Sequence, residues 1–314
     1  MSEAVSKISP ITLTKIRDLN LAAPTAPGQP LHLSAASGLT CINSYIYVIA
    51  DDELHLGVFC NTHSEPGQLI RLFDGALPDP KPDRKKRKPD LEALTLLPAH
   101  GDYPHGALLA FGSGSRKNRR MGALLGLDAQ GAVRGSPRVV DLAPLLDPLH
   151  DTFSELNIEG AAVSGDALYL FQRGNARHAE NAVVKFPLPA LLDALRLGRT
   201  GAIEPAAIHP FDLGRIDGIP LCFTDAAALP DGALVFTAVA ENTGDAYHDG
   251  PCVGAAIGMA DRNGRLLCIH RLDRPHKIEG VDARVDGDVI RLLLVTDADD
   301  AAIAAGLFSA TMAR

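Results

Sequence analysis

The chain repeats itself. Five segments share one pattern: a hydroxyl or acid, a small residue, a short apolar strand, a turn and a second apolar strand. They read SGLTCINSYIYVIAD from Ser37, LEALTLLP followed by GALLAFGSGS around Glu92, and IEGAAVSGDALYLFQRG around Glu159. The last two are FTDAAALPDGALVFTAVAEN around Thr224 and Asp225, and IEGVDARVDGDVIRLLLVTD around Glu279. The markers are spaced 55, 67, 65 and 55 residues apart, so five such units account for all 314 residues. Repetition on this scale constrains a fold more than any single motif, because each unit buries its apolar face only against its neighbours.

Within each unit the periodicity is that of strands. LYLF, LVFTAV and VIRLLLV are short apolar runs bounded by Gly, Asp and Pro, too short for core helices. DAQG and DRNG carry hairpin-turn chemistry, and the 29 Gly and 22 Pro fit a chain rich in turns. Helix is expected at ALLDALRLG (190–198) and in the VVDLAPLLDPLHD stretch. Four strands per unit, repeated radially, make a β-propeller blade. The expectation is an all-β, five-bladed β-propeller with blades near 30–83, 84–150, 151–215, 216–272 and 273–314. The last unit shows three clear strands, and ITLTKIRDLNL (within 8–22) supplies the fourth, closing the ring. The alternatives are a six-bladed ring with one degenerate blade and a two-domain β-sandwich.

In a propeller the first strand of each blade lines the central channel, so Ser37, Glu92, Glu159, Thr224 or Asp225, and Glu279 converge. Three converging glutamates repel unless protonated or neutralised. Carboxylate and hydroxyl oxygens suit Ca²⁺, and the absence of His and Cys from the marker position argues against zinc. The other reading of the same residues is a water-filled channel whose acids are satisfied by backbone amides. This marker ring resembles that of the five-bladed calcium-dependent apyrase (nucleotidase) propellers, and the EG-plus-strand repeat resembles the esterase-like, phytase-like propellers of bacteria. The resemblance implies a central calcium held by the marker side chains beside a nucleotide site. VIADDELHLGVF (48–59) is similar to the apyrase family's acidic turn.

Net charge is −8, which speaks against nucleic-acid and polybasic membrane binding, and aromatics for base stacking are scarce at 5%. Yet 13 of the 30 Lys and Arg fall in four segments assigned to one face: RKKRK (Arg84 to Lys88), GSGSRKNRR, RGNARHAEN and DRPHK. That face is expected to attract a small anionic molecule. Arg116 and Arg173 are its candidate anion ligands, and Ser113 and Ser115 of GSGSR add hydroxyl donors. RKKRK, flanked by PDPKPD and PD, reads as a mobile, self-repelling loop. Asp51, Asp52, Glu53, Glu241, Asp245, Asp297, Asp299 and Asp300 offer a second cation site or a general base, and His248 and His276 offer an acid or base near neutral pH. Solvated turn acids are the plainer alternative for these. No G-x-S-x-G elbow and no CxxC pair occurs, so serine-hydrolase and zinc-ribbon chemistry find no support, and the five cysteines read as free thiols. The N-terminus lacks an apolar signal core, which points to the cytoplasm. Two functions remain open: a metal-dependent hydrolase of phosphate esters, nucleotides or lactones that uses the central-channel cation, and a non-catalytic propeller that binds a small anion or a protein partner, its channel cation being structural.

Overall fold

The computed structural model describes residues 9–198, 201–243 and 250–314. Asp245 and His248 lie outside them. Strand β1 (Thr14–Asp18) comes first in the chain but belongs to the last sheet. The first sheet is β2 (Ala36–Ile42), β3 (Tyr45–Ala50), β4 (His55–Cys60) and β5 (Gln68–Arg71). The second is β6 (Leu91–Leu97), β7 (Ala107–Gly112), β8 (Met121–Leu127) and β9 (Val133–Asp141); the third is β10 (Ile158–Ser164), β11 (Ala167–Gln172), β12 (Asn181–Pro187) and β13 (Ala207–Phe211). The fourth carries an extra two-residue strand, β14 (Arg215–Ile216), ahead of β15 (Ile219–Ala228), β16 (Leu234–Glu241), β17 (Cys252–Ala260) and β18 (Leu266–Arg271). The fifth is β19 (Ile278–Asp286), β20 (Val289–Thr296) and β21 (Gly306–Ala313), completed by β1.

All strand pairs within the sheets are antiparallel, and the inner strands β2, β6, β10, β15 and β19 touch in succession, with β19 touching β2. This is a five-bladed β-propeller; neither six blades nor two sandwiches form. Alternation along each strand sends apolar side chains to both faces of a blade, where they meet the next blade. Five hydrophobic clusters result, one at each junction: Leu94 with Ile49, Ile158 with Leu109, Phe223 with Phe171, Ile290 with Val235, and Leu307 with Leu39 typify them. No blade has a core of its own.

Closure comes from β1, which pairs with β21 from Thr14↔Ser309 to Asp18↔Gly306. Arg17 then reaches from this blade-five strand into blade one, donating to the carbonyls of Cys60 (2.9 Å) and His63 (2.8 Å). Turn residues behave as their chemistry requires. Asp128 and Asp261 each accept two backbone amides of the DAQG and DRNG turns, and Gly131 and Gly264 adopt φ of 83° and 80°.

Among the described residues three α-helices decorate the frame, α1 (Lys81–Arg87), α2 (Ala143–Leu146) and α3 (Leu188–Leu197), the last ended by Gly198 at φ 60°. The expectation for RKKRK is corrected here, because four of its five residues form α1 rather than a mobile loop. Asp83 in the first turn and basic residues in the last complement the helix dipole. Asn118 donates to the carbonyls of Lys86 and Lys88, and Arg119 to that of Lys85, pinning the helix to blade two. No described helix is long and apolar enough to cross a membrane.

Candidate functional site

In every inner strand the ladder slips by one residue at the same place. The pairs Ala36↔Ala50 then Gly38↔Ile49, Leu91↔Gly112 then Ala93↔Phe111, and Ile158↔Gln172 then Gly160↔Phe171 each skip one residue. Phe223↔Ala238 then Asp225↔Thr237, and Ile278↔Thr296 then Gly280↔Val295, do the same. The skipped residues are Ser37, Glu92, Glu159, Thr224 and Glu279. A bulge leaves one residue unpaired and re-aims its side chain, so the five-fold marker is a five-fold bulge.

The register in blade four is therefore Thr224, not Asp225. Neither residue lines the channel mouth, which removes both from the expected ligand ring. Thr224 is wholly buried and donates to the carbonyl of Ile278 at 2.7 Å. Asp225 occupies the next position, where the other blades carry Gly38, Ala93, Gly160 and Gly280. Its buried carboxylate accepts the amide of Val281 at 2.8 Å and links blades four and five below the mouth. Burial pushes its pKa well above the usual carboxylate range, against the pull of the Val281, Ala226 and Leu39 amides. Ser37 does reach the mouth, donating to the carbonyl of Leu91 at 2.5 Å.

Above the bulges the channel opens into a funnel of about 260 Å³. The residues two places ahead of each marker, Ala35, Asp90, Asn157, Cys222 and Lys277, form a second tier of its lining. A third tier comes from residues that follow the second strands, Asp51, Arg173 and Asp297. Their amides bond to second-tier carbonyls of the same blade: Asp51 to Ala35 at 3.1 Å, Arg173 to Asn157 at 2.8 Å, and Asp297 to Lys277 at 3.1 Å. In all, twelve acidic side chains and seven Lys or Arg line the funnel, a surplus of five acids in a chain whose net charge is −8.

Two basic side chains stand inside the ring. Arg173 pairs with Glu159 (3.2 Å), Glu241 (2.5 Å) and Glu279 (3.8 Å). Lys277 pairs with Asp299 (2.5 Å), Asp297 (3.4 Å), Glu241 (3.5 Å) and Glu279 (3.8 Å). Burial disfavours both cations, but the surrounding carboxylates hold their pKa values far above normal. Burial also drives Glu159 and Glu279 upward, with Arg173 and Lys277 pulling the other way. Across the funnel, Lys88 pairs with Asp51 and with Asp90 (2.8 Å), and Arg119 with Asp90 (2.7 Å). Glu92 is different: 9% exposed, it has no hydrogen bond and no ion pair among the described residues. Burial, then Glu159, Asp90 and Asp51, raise its pKa well above normal, while Lys88 opposes them.

The residues do not fit a calcium ion on the axis. Thr224 and Asp225 are elsewhere, and Glu159 and Glu279 already face a guanidinium and an ammonium, which a dication between them would oppose. The expected anion cradle is also rearranged. Ser113 is buried and donates to Asp90 at 2.6 Å, while Ser115 accepts from Arg119 at 3.0 Å. GSGSR thus braces the Asp90–Arg119 pair. Arg116 is exposed and outside the funnel lining, and His276 lies outside it too, its ring 5.2 Å from that of Phe308 and its pKa lowered by burial. Asp52 does line the funnel, 4.0 Å from Arg84, and burial with Asp51 and Glu53 lifts its pKa to about 7.

The roles of Lys88, Asp90, Asn157, Arg119 and Lys277 were not read from the sequence. The repeat held the signal for three of them: extending the marker alignment two residues upstream picks out Asp90, Asn157 and Lys277. Chemically, the site offers buried protonatable carboxyls, an unpaired acid and oxygen donors open to solvent. It can exchange protons with a ligand or hold a cation.

Among solved structures, the chain is similar to a luciferin-regenerating enzyme, with 12% identity, a TM-score of 0.49, and 96% of this chain and 95% of that one covered. It is also similar to a proposed glycoside hydrolase of Bacteroides ovatus, with 14% identity, a TM-score of 0.45 and 96% of both chains covered. A third similarity is to a chain of a nidogen/laminin complex, with 10% identity, a TM-score of 0.41, and 92% and 90% covered. No curated protein matches. Residues 32–312 match the model of the family of unknown function DUF6929, and the chain belongs to that family.

Proposed function

We propose that the chain is a hydrolase of a small phosphate ester, nucleotide or lactone, acting in the funnel with a hard divalent cation held by funnel carboxylates. The observation that carries this reading is the surplus of twelve carboxylates over seven basic side chains, with Glu92 unpaired. Such a lining repels a bare anion but accepts one that arrives with a dication, because the metal bridges substrate oxygen and protein carboxylate. Lys81, Arg84 and Lys85 of α1 line one side of the same funnel and favour the anionic end of the substrate. Assays of phosphomonoesters, nucleoside di- and triphosphates and lactones with Ca²⁺, Mg²⁺ or Mn²⁺ test it. The reading expects turnover of one class, abolished by EDTA and lowered at least about a hundredfold by Glu92→Gln. Turnover that survives EDTA contradicts it.

The pairing of Arg173 and Lys277 with the ring favours a second reading, a binding module whose channel charge is neutralised internally. Under that reading cations bind weakly or not at all, and no substrate class turns over.

A further inference from the structure

We propose that the hard divalent cation binds off the channel axis, at the junction of blades one and two, on Asp51, Asp90 and Glu92. The inference rests on the cation-dependent reading above and deepens it by assigning the ligands. One carboxylate oxygen from each of these three residues lies within 4.8 Å of the others, and no second trio of metal-ligating side chains meets this closely among the described residues.

The blade geometry explains why. A third-tier residue of one blade faces the second-tier and marker residues of the next. At the junction of blades three and four the third tier supplies Arg173, beside Cys222; at the junction of four and five the second tier supplies Lys277. Only between blades one and two are all three positions acidic: Asp51, Asp90 and Glu92.

A separate observation points to a ligand. Glu92 is nine-tenths buried, aimed into this trio, and unpartnered. A buried carboxylate without a partner is costly to the fold unless something completes it. Lys88 and Arg119 form ion pairs with Asp51 and Asp90 from one side and none with Glu92. Arg173 and Lys277, by contrast, give ion pairs to Glu159, Glu241 and Glu279. Carboxylate oxygens alone select a hard ion, Ca²⁺, Mg²⁺ or Mn²⁺, and the open side of the trio leaves coordination positions for water or substrate oxygens. Lys88 already places a positive charge against Asp51 and Asp90, so the arriving ion competes with it.

Titration calorimetry with CaCl₂, MgCl₂ and MnCl₂ on the full chain tests the assignment. Asp51→Asn and Glu92→Gln should each weaken binding at least about tenfold. Glu279→Gln should stay within about threefold of the natural chain, and Lys88→Met should bind more tightly because the competing ammonium is gone. Glu92→Asp, which keeps the charge but withdraws it by one methylene, should fall between wild type and Glu92→Gln, and keeps the test decisive if the amide variant does not fold. A larger loss in Glu279→Gln than in Asp51→Asn and Glu92→Gln would move the ion to the axis and overturn the assignment while leaving the cation-dependent reading intact. No binding by the natural chain at millimolar ion would overturn both.

Discussion

Thr224 and Asp225 are neighbours with opposite duties. The first is the unpaired residue of a bulge and braces the next blade through the Ile278 carbonyl; the second drives a buried carboxyl between blades. Sequence spacing supports either as the fourth marker, because a bulge is defined by pairing across strands, which a single chain does not display. Burial raises the Asp225 pKa well above normal, and an Asn side chain keeps its shape without the buried charge. Asp225→Asn should leave the melting temperature nearly unchanged, whereas Asp225→Ala, which strands the Val281 amide, should lose about 1–3 kcal/mol in denaturant unfolding. Equal losses in the two variants would show that the oxygen accepting the Val281 amide is not what this side chain contributes. Asp297 gives a pH dependence. Burial lifts its pKa to about 7, more than Lys277 lowers it, and Asp51 and Asp299 add to the rise. The folded state therefore holds this proton more tightly than the unfolded chain, whose Asp titrates near 3.9. Its stabilisation is full below about pH 4 and is lost as pH rises through about 7. Melting temperature should thus fall from pH 6 to 8, and Asp297→Asn should flatten that slope. An unchanged slope would exclude Asp297 as its source.

At the scale of elements, strands and hairpin turns were legible because their signals are local: short apolar runs, and Asp…Gly turns that bind their own amides. The VVDLAPLLDPLHD and ALLDALRLG helices were legible for the same reason. Helix α1 was not, since a run of like charges argues against a helix and what holds it, Asn118 and Arg119, lies some thirty residues away. The small residue after four of the five markers was visible as a pattern, and the structure supplies its cause. At Gly160 an added Cβ would stand 2.9 Å from the Asp225 Cα and the Ala226 nitrogen, both backbone atoms of the adjacent inner strand. Gly160→Ala should therefore destabilise the protein by about 1–3 kcal/mol. Gly165→Ala is an inadequate control because that glycine has a φ of 60°. A Gly160→Ala variant as stable as the natural chain would show that the inner strands are less tightly spaced than this ring requires.

The whole molecule is a closed ring held by five interfaces, so its stability and its site share one geometry. Convergence of Glu92, Glu159 and Glu279 followed from radial symmetry alone. The partners of Glu159 and Glu279 did not, because Arg173 and Lys277 reach the funnel from segments whose paths depend on the folded blades. The expectation of a basic mouth above an acidic axis changes accordingly: the bases are inside the funnel, paired, and outnumbered by acids. What the ring leaves open is one buried acid at one junction. Crystals soaked in MnCl₂ and measured at the manganese absorption edge test this most directly. One anomalous peak is expected, within coordinating distance of Asp51, Asp90 and Glu92. A peak on the axis between Glu159 and Glu279, or no peak in the funnel, would contradict it.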